Sequence, residues 1–191
     1  MKTELKFKTH EDMETYLFDK YPIIFQDKDK DMTQSCLCWG IDCDVGWGNI
    51  IDKLCERLTF IAEKHGIQVI ADQVKEKYAG LRFYYHTQYV QNSPFIRFKN
   101  LCFSLLRKCN IWVQYGFAMI GIDVITKDMD DKIVFDIIDT LVQDAEDKSE
   151  HICENCGDTW AKCCNIGRWY KTLCKDCAKE LKYTYPEDKG I

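Results

Sequence analysis

Proline is scarce in this chain, at 3 of 191 residues, and glycine is modest at 10. Long disordered tracts are therefore not expected. No apolar run approaches the roughly 20 residues of a membrane-spanning helix. The first residues, Met1 to Thr9, are charged where an export signal would be apolar. These absences predict a soluble cytoplasmic protein with no membrane partner. Histidine is also rare, with 4 in the chain and none beside a recognisable nucleophile. There is no glycine-rich phosphate loop and no H-E-x-x-H metal motif. The expectation is a non-enzymatic protein. Asp42 and Asp44 flank Cys43 and could act as acid and base, but a helix-capping role just ahead of an apolar stripe suits them better.

What the chain does have is a 46% apolar fraction and 12 cysteines. The length suits one compact domain with a small appendage. Cys153 and Cys156 form one C-x-x-C pair, and Cys174 and Cys177 form another 17 residues further on. Two short turns that each aim two thiolates at one point supply the tetrahedral shell of a structural Zn2+ ion. With four thiolate ligands no coordination position is left for a catalytic water. Cys163 and Cys164 could displace one of these ligands, and His151 is a more distant substitute. Cys36, Cys38 and Cys43 supply at most three ligands, with Cys55 a conceivable fourth. Three partly buried thiols are the plainer account of that group.

Helical periodicity places a first helix after Thr9, with Met13, Tyr16, Leu17 and Tyr21 on one face. A second runs from Trp47 to His65, with Ile51, Leu54, Cys55, Leu58, Ile61 and Ala62 inward and Gly66 as its left-handed stop. Between them, residues 22–46 form a long connection that must be functional or pinned. A hairpin follows, Ile67 to Lys77 and Leu81 to His86. A third helix starts at Ser93-Pro94 and buries Phe98, Leu101, Cys102, Leu105 and Cys109. Two strands are expected over Ile111–Ile120 and Ile122–Ile125, bent apart at Gly121. A fourth helix opens at Asp130 or Asp131, with Ile133, Val134, Ile137, Ile138, Leu141, Val142 and Ala145 inward. The fold class is α+β, a small antiparallel sheet with about four helices and a C-terminal zinc ribbon. The expected division is an α+β domain over 1–150 and a ribbon over 151–191 packed on it.

Charge is uneven. Residues 66–109 hold seven lysines and arginines against two acids, while 110–160 hold three against twelve. Strand alternation groups Arg82 and Tyr84 on one face of the hairpin, and Lys75 and Lys77 on that same face would add cations to a ring. Arg168, Trp169 and Lys171 repeat the combination ahead of Cys174. Cations neutralise phosphates and rings stack on bases, so these seven residues are candidates for a nucleotide-like anion. The alternative is a solvated sheet face with aromatic filling. Arg168, Lys171, Lys175 and Lys179 would serve a nucleic-acid-binding ribbon instead, and the acidic stretch 130–150 would serve a protein adaptor. A homo-oligomer is open.

Three stretches carry a resemblance: Cys36-Leu-Cys-Trp-Gly-Ile-Asp-Cys-Asp-Val-Gly-Trp47, Gln73-Val-Lys-Glu-Lys-Tyr-Ala-Gly-Leu-Arg-Phe-Tyr84, and Cys153-Glu-Asn-Cys-Gly157 with Trp169-Tyr-Lys-Thr-Leu-Cys174 and Cys177. Together they resemble a family of small, uncharacterised bacteriophage and prophage accessory proteins with a C-terminal zinc-binding element. Tyr78-Ala79 stands where that family tends to have Phe-Gly, Asp44-Val45 loosens its usual turn, and Cys177 falls where relatives often carry His. The resemblance implies a viral protein in the cytoplasm of a bacterial host, acting on host machinery. Sequestering a defence-signalling nucleotide is one version of that role.

Overall fold

In a computed structural model, which describes residues 7–90 and 117–186, the apolar stripes read above become the walls of one core. Helix α1, His10–Lys20, is capped by Thr9, whose Oγ1 accepts from Asp12 N at 3.1 Å. It buries Met13 and Leu17 completely. Helix α2, Gly48–His65, buries Ile50, Ile51, Leu54, Cys55 and Leu58 and stops at Gly66, whose φ of 67° is the left-handed conformation that glycine adopts without a Cβ penalty. The two helices are clasped where Tyr21 donates to Asp52 Oδ1 at 2.7 Å and Lys20 meets the same oxygen at 2.8 Å.

The sheet has three strands in the order β1 (Ile41–Asp42), β2 (Ile67–Lys77), β3 (Gly80–Tyr89). β2 and β3 are antiparallel, with a register shift between Ala71 and Gln73. β1 lies parallel to β2, pairing Ile41 with Val74 and Asp42 with Lys75, so the sheet is mixed and not purely antiparallel as expected. The hairpin turns at Tyr78 and Ala79, one residue earlier than the sequence suggests, and both have positive φ. That is the two-residue turn whose twist matches the strands.

The long connection 22–46 is pinned by packing. Phe25, Leu37 and Ile41 are fully buried in it, and Ala71 N donates to Ile24 O at 2.8 Å. Short 3-10 turns at Gln26–Asp29, Cys36–Trp39 and Val45–Trp47 take up the remaining length.

The third expected helix, residues 93–109, lies outside the described residues, as do 111–116 of the next expected strand. From Phe117 onward the chain is helical without a break: α3 spans Phe117–Ser149, so the strand expected over Ile122–Ile125 is helix. A short apolar run carries no periodicity to separate the two states, and Gly121 does not interrupt the helix. Val134, Ile138, Val142 and Ala145 are buried as anticipated, whereas Ile133 and Ile137 face solvent. α3 packs on α2 and lies along the open edge of β3. There Phe83 N donates to Glu146 Oε1 at 2.9 Å and Leu81 N to Ser149 Oγ at 2.8 Å, which satisfies an edge that would otherwise invite pairing.

The C-terminal part is a second, two-stranded hairpin, β4 (Lys162–Ile166) and β5 (Trp169–Leu173), followed by α4 (Lys175–Glu180). It sits against the body. Trp47, fully buried, donates through Nε1 to Ile152 O at 2.8 Å, and Gly46 N donates to Glu154 O at 2.7 Å. A Cβ on Gly46 would stand 2.2 Å from Cys153 O and 2.4 Å from Glu154 O, so only glycine lets the two backbones meet here.

Candidate metal centre and adjoining cleft

The turn Cys153–Gly157 closes with Gly157 N donating to Cys153 O at 2.8 Å. The second pair sits where β5 runs into α4, and Cys174 caps that helix with its sulfur accepting from Cys177 N at 3.5 Å. The two turns bring the sulfurs of Cys153, Cys156, Cys174 and Cys177 within 4.8 Å of one another. A tetrahedral shell with metal–sulfur bonds of about 2.3 Å puts its sulfurs about 3.8 Å apart, and Cys156 Sγ and Cys174 Sγ are separated by 3.7 Å. Asn155 Nδ2 donates to Cys177 Sγ at 3.3 Å, the kind of outer hydrogen bond that orients a thiolate ligand. Burial pushes the Cys177 thiol up to about 11. A metal cation offsets that cost, so the donor set fits a metal ion.

The alternatives weighed from the sequence fall outside this cluster. Cys163 is exposed, Cys164 is buried with its sulfur 3.2 Å from Lys162 O, and His151 is exposed. Cys36, Cys38, Cys43 and Cys55 form no ligand group among the described residues. Cys43 and Cys55 are buried thiols whose pKa is raised by burial.

Beside the metal centre, where β5 faces the loop leading into β1, lies a cleft of about 700 Å³. Trp39 and Gly40 from the body and Trp169 and Tyr170 from β5 contribute its aromatic and backbone walls. Trp39 is 72% exposed and Trp169 74%. In the cleft Lys171 joins the two units, its Nζ lying 2.5 Å from Asp44 Oδ2 and 3.2 Å from Glu154 Oε1. Asp44 N also donates to Glu154 Oε1 at 3.3 Å. Glu154 is only 1% exposed, and its Oε2 is buried with no hydrogen-bond partner. Burial pushes its carboxyl up to about 7 against the pull of Lys171. Burial alone would lower the pKa of Lys171, but Asp44 and Glu154 outweigh it and hold the ammonium above its ordinary value. Asp44 therefore serves the junction and makes no capping bond to α2, which begins after Trp47 without a side-chain cap.

The seven candidate ligand residues do not gather at one site. Lys75 is paired directly with Arg82 across β2 and β3, and its Nζ lies 5.6 Å from the centre of the Tyr84 ring, so these three share the outer face of the hairpin. Arg82 also reaches Glu146 Oε2 at 3.3 Å. Lys77 lies at the tip with its ammonium over Tyr78. Trp169 and Lys171 belong to the cleft, and Arg168 occupies the β4–β5 turn outside its lining. Lys75, Lys77 and Arg82 thus lie outside the lining of the cleft that holds Trp169 and Lys171.

Sequence reasoning did not find Trp39 or Glu154 as site residues. Glu154 was hidden as a spacer inside Cys153-Glu-Asn-Cys156. A charged residue there, beside a turn that must be buried against glycine, was the available signal.

Comparison of the chain with protein-family models, with curated proteins and with solved structures gave no match. No helix among the described residues is long and apolar enough to cross a membrane.

Proposed function

We propose that this chain is a non-enzymatic binding protein in which a structural Zn2+ ion, held by Cys153, Cys156, Cys174 and Cys177, fastens a zinc ribbon to an α+β body and so forms a ligand cleft between them. The observation that carries this reading is the cleft itself. One exposed tryptophan comes from each unit, and the Asp44–Lys171–Glu154 clasp fixes the spacing between the walls. Concave, partly aromatic sites of this volume are where proteins bind ligands. A closed tetrathiolate shell favours a structural over a catalytic metal. The resemblance to phage accessory proteins supports a role in the cytoplasm of a bacterial host, directed at a host component.

A second reading keeps the nucleotide-like anion, bound on the outer hairpin face. The juxtaposition of Lys75, Arg82 and Tyr84 favours it. Thermal melts followed by tryptophan emission, run against nucleotides, polyamines and short peptides, separate the two. A cleft ligand raises Tm in the parent chain and not in a Trp39→Ala/Trp169→Ala variant. A hairpin ligand loses its shift with Arg82→Ala and keeps it in the double tryptophan variant. If no ligand's shift depends on Trp39 and Trp169, the cleft is not the binding site.

A further inference from the structure

A second cavity, of about 610 Å³, lies between α2, α3 and the segment 152–159, and it shares no lining residue with the cleft described above. Each helix gives it two neighbouring pairs at i, i+4 spacing, which fall one above the other on a helix surface. α2 supplies Ile50 and Leu54, and beside them Lys53 and Arg57. α3 supplies Leu141 and Ala145, and beside them Asp144 and Lys148. Ile50, Leu54 and Ala145 are buried and Leu141 is half-buried, whereas Lys53, Arg57 and Lys148 are exposed. The two helices therefore build an apolar floor under a charged rim.

The rim carries a cationic surplus. Asp144 Oδ2 lies 2.5 Å from Lys148 Nζ and 3.5 Å from Arg57 Nη1, so two cations converge on one anionic oxygen. Lys53, one turn from Arg57, has no ion pair among the described residues. Glu56 is the other carboxylate of the lining, which leaves three cations facing two acids. The pairs to Asp144 are partly exposed and of the kind that contributes little to stability. Arg57 and Lys148 can therefore hold a further anion at little cost. A neutral apolar molecule would use the floor and not the rim, and a polyanion would exceed the surplus of charge and leave the floor in water. A concave site of this volume is of the size that takes a small molecule.

From this we infer that the cavity between α2 and α3 is a second binding site, for a small amphipathic anion. Its apolar chain or ring covers Ile50, Leu54 and Ala145, and its single carboxylate, sulfonate or phosphate is held at the mouth by Lys53 and Arg57. Removing the apolar part from water supplies the bulk of the attraction, and the charge-assisted contacts at the rim select the sign of the head group. The site is independent of the cleft between Trp39 and Trp169.

The test uses the metal-loaded full chain and two probes with the same tail and opposite heads, decanoate and decyltrimethylammonium. Both are kept below their micelle concentrations and titrated at about 50 mM salt, where electrostatic attraction is only partly screened. Decanoate is expected to shift the backbone amide resonances of 49–57 and 141–148, and to bind at least about tenfold tighter than the ammonium probe by calorimetry. Lys53→Gln/Arg57→Gln should weaken decanoate about tenfold and bring the two probes together. Both positions are exposed on α2 and glutamine is a good helix former, so the variant is expected to fold, with circular dichroism as the check. Trp39→Ala/Trp169→Ala should leave decanoate affinity unchanged, since neither residue lines this cavity. Absence of shifts at these amides overturns the inference. So does equal affinity for the two probes, which would mean an apolar crevice with no selection for charge, and so does unchanged affinity in the glutamine variant. A loss in the tryptophan variant would place decanoate in the first cleft and overturn it as well. Binding to phosphatidylglycerol vesicles without binding of free decanoate would also overturn it, in favour of a membrane-facing patch.

Discussion

The body and the C-terminal hairpin are held together by different physics. The body has a continuous apolar core to which α1, α2, the sheet, α3 and the connection 22–46 all contribute, with Met13, Leu17, Leu37, Trp47, Ile51, Leu58 and Leu81 at or near zero exposure. The core of the hairpin is Cys153, Ala161, Cys164, Leu173, Cys174, Cys177 and Ala178. Four of those seven are cysteines, and two of the others are alanines. Such a cluster removes too little apolar surface from water to offset the entropy of ordering some 35 residues. The difference teaches that the body can fold by burial alone, while the hairpin must obtain its stability elsewhere, from its seam with the body and from the metal ion that its four cysteines could hold.

The largest expected effect breaks this comparison directly. Purified protein should carry about one zinc per chain by elemental analysis, because one tetrathiolate cluster exists among the described residues. Structural zinc sites contribute on the order of 10 kcal/mol to the fold they close. Chelation or Cys174→Ser should therefore collapse the amide resonances of 150–186 while those of α1, α2 and the β2–β3 hairpin persist. Loss of the whole spectrum would mean that the body depends on the hairpin. An unchanged spectrum with no metal present would mean that the cysteines are ordinary buried thiols.

The seam is the next place to press. Gly46→Ala places a methyl carbon 2.2 Å from Cys153 O and 2.6 Å from Gly157 N, inside any permitted contact with backbone that cannot swing away. Overpacking of this kind costs about 1–3 kcal/mol. The expected outcome is a lower Tm together with faster zinc loss to a chelator, since the carbonyls being pushed belong to the turn that carries two ligands. Unchanged zinc release alongside a lower Tm would show that the seam stabilises the body without supporting the metal site.

How much of this was legible in the sequence follows the same division. α1 and α2 could be read because a 3.6-residue apolar period was bracketed by explicit signals, Thr9 at one end and Gly66 at the other. The cluster of Cys153, Cys156, Cys174 and Cys177 could be read because two C-x-x-C turns each aim a pair of sulfurs at one point. β1 could not be read, since two residues paired in parallel with a distant strand leave no local pattern. The helical state of 117–125 is not legible because so short a stretch, apolar except for Asp123, is compatible with either state, and Gly121 within it reads equally well as a bend. The apolar stripe of α3 was drawn too wide, as the exposure of Ile133 and Ile137 shows. The cleft was illegible for a topological reason. Trp39 and Trp169 lie far apart in the chain and meet one cavity only after both units have folded. Lys171 reads as a free cation until Asp44 and Glu154 are seen around it.

The smallest effect sharpens the comparison at the body's other point of contact with the hairpin. Tyr78 and Ala79 both sit at positive φ, 55° and 62°, in the β2–β3 turn, and Thr172 of β5 donates to Ala79 O at 2.5 Å. A tyrosine is poorly suited to the left-handed region, whereas asparagine is favoured at this turn position. The Tyr78 ring is 80% exposed and contributes little burial, so its loss forfeits only a surface contact with Lys77. Tyr78→Asn should therefore stabilise the protein by about 0.5–1 kcal/mol, a rise in Tm of about 1–4 °C for a chain of this length. The turn closes two strands of the body, so the same gain should survive in zinc-stripped protein. A gain that disappears with the metal would show that Thr172 imposes the turn conformation from outside, and that the hairpin shapes the body as well as leaning on it.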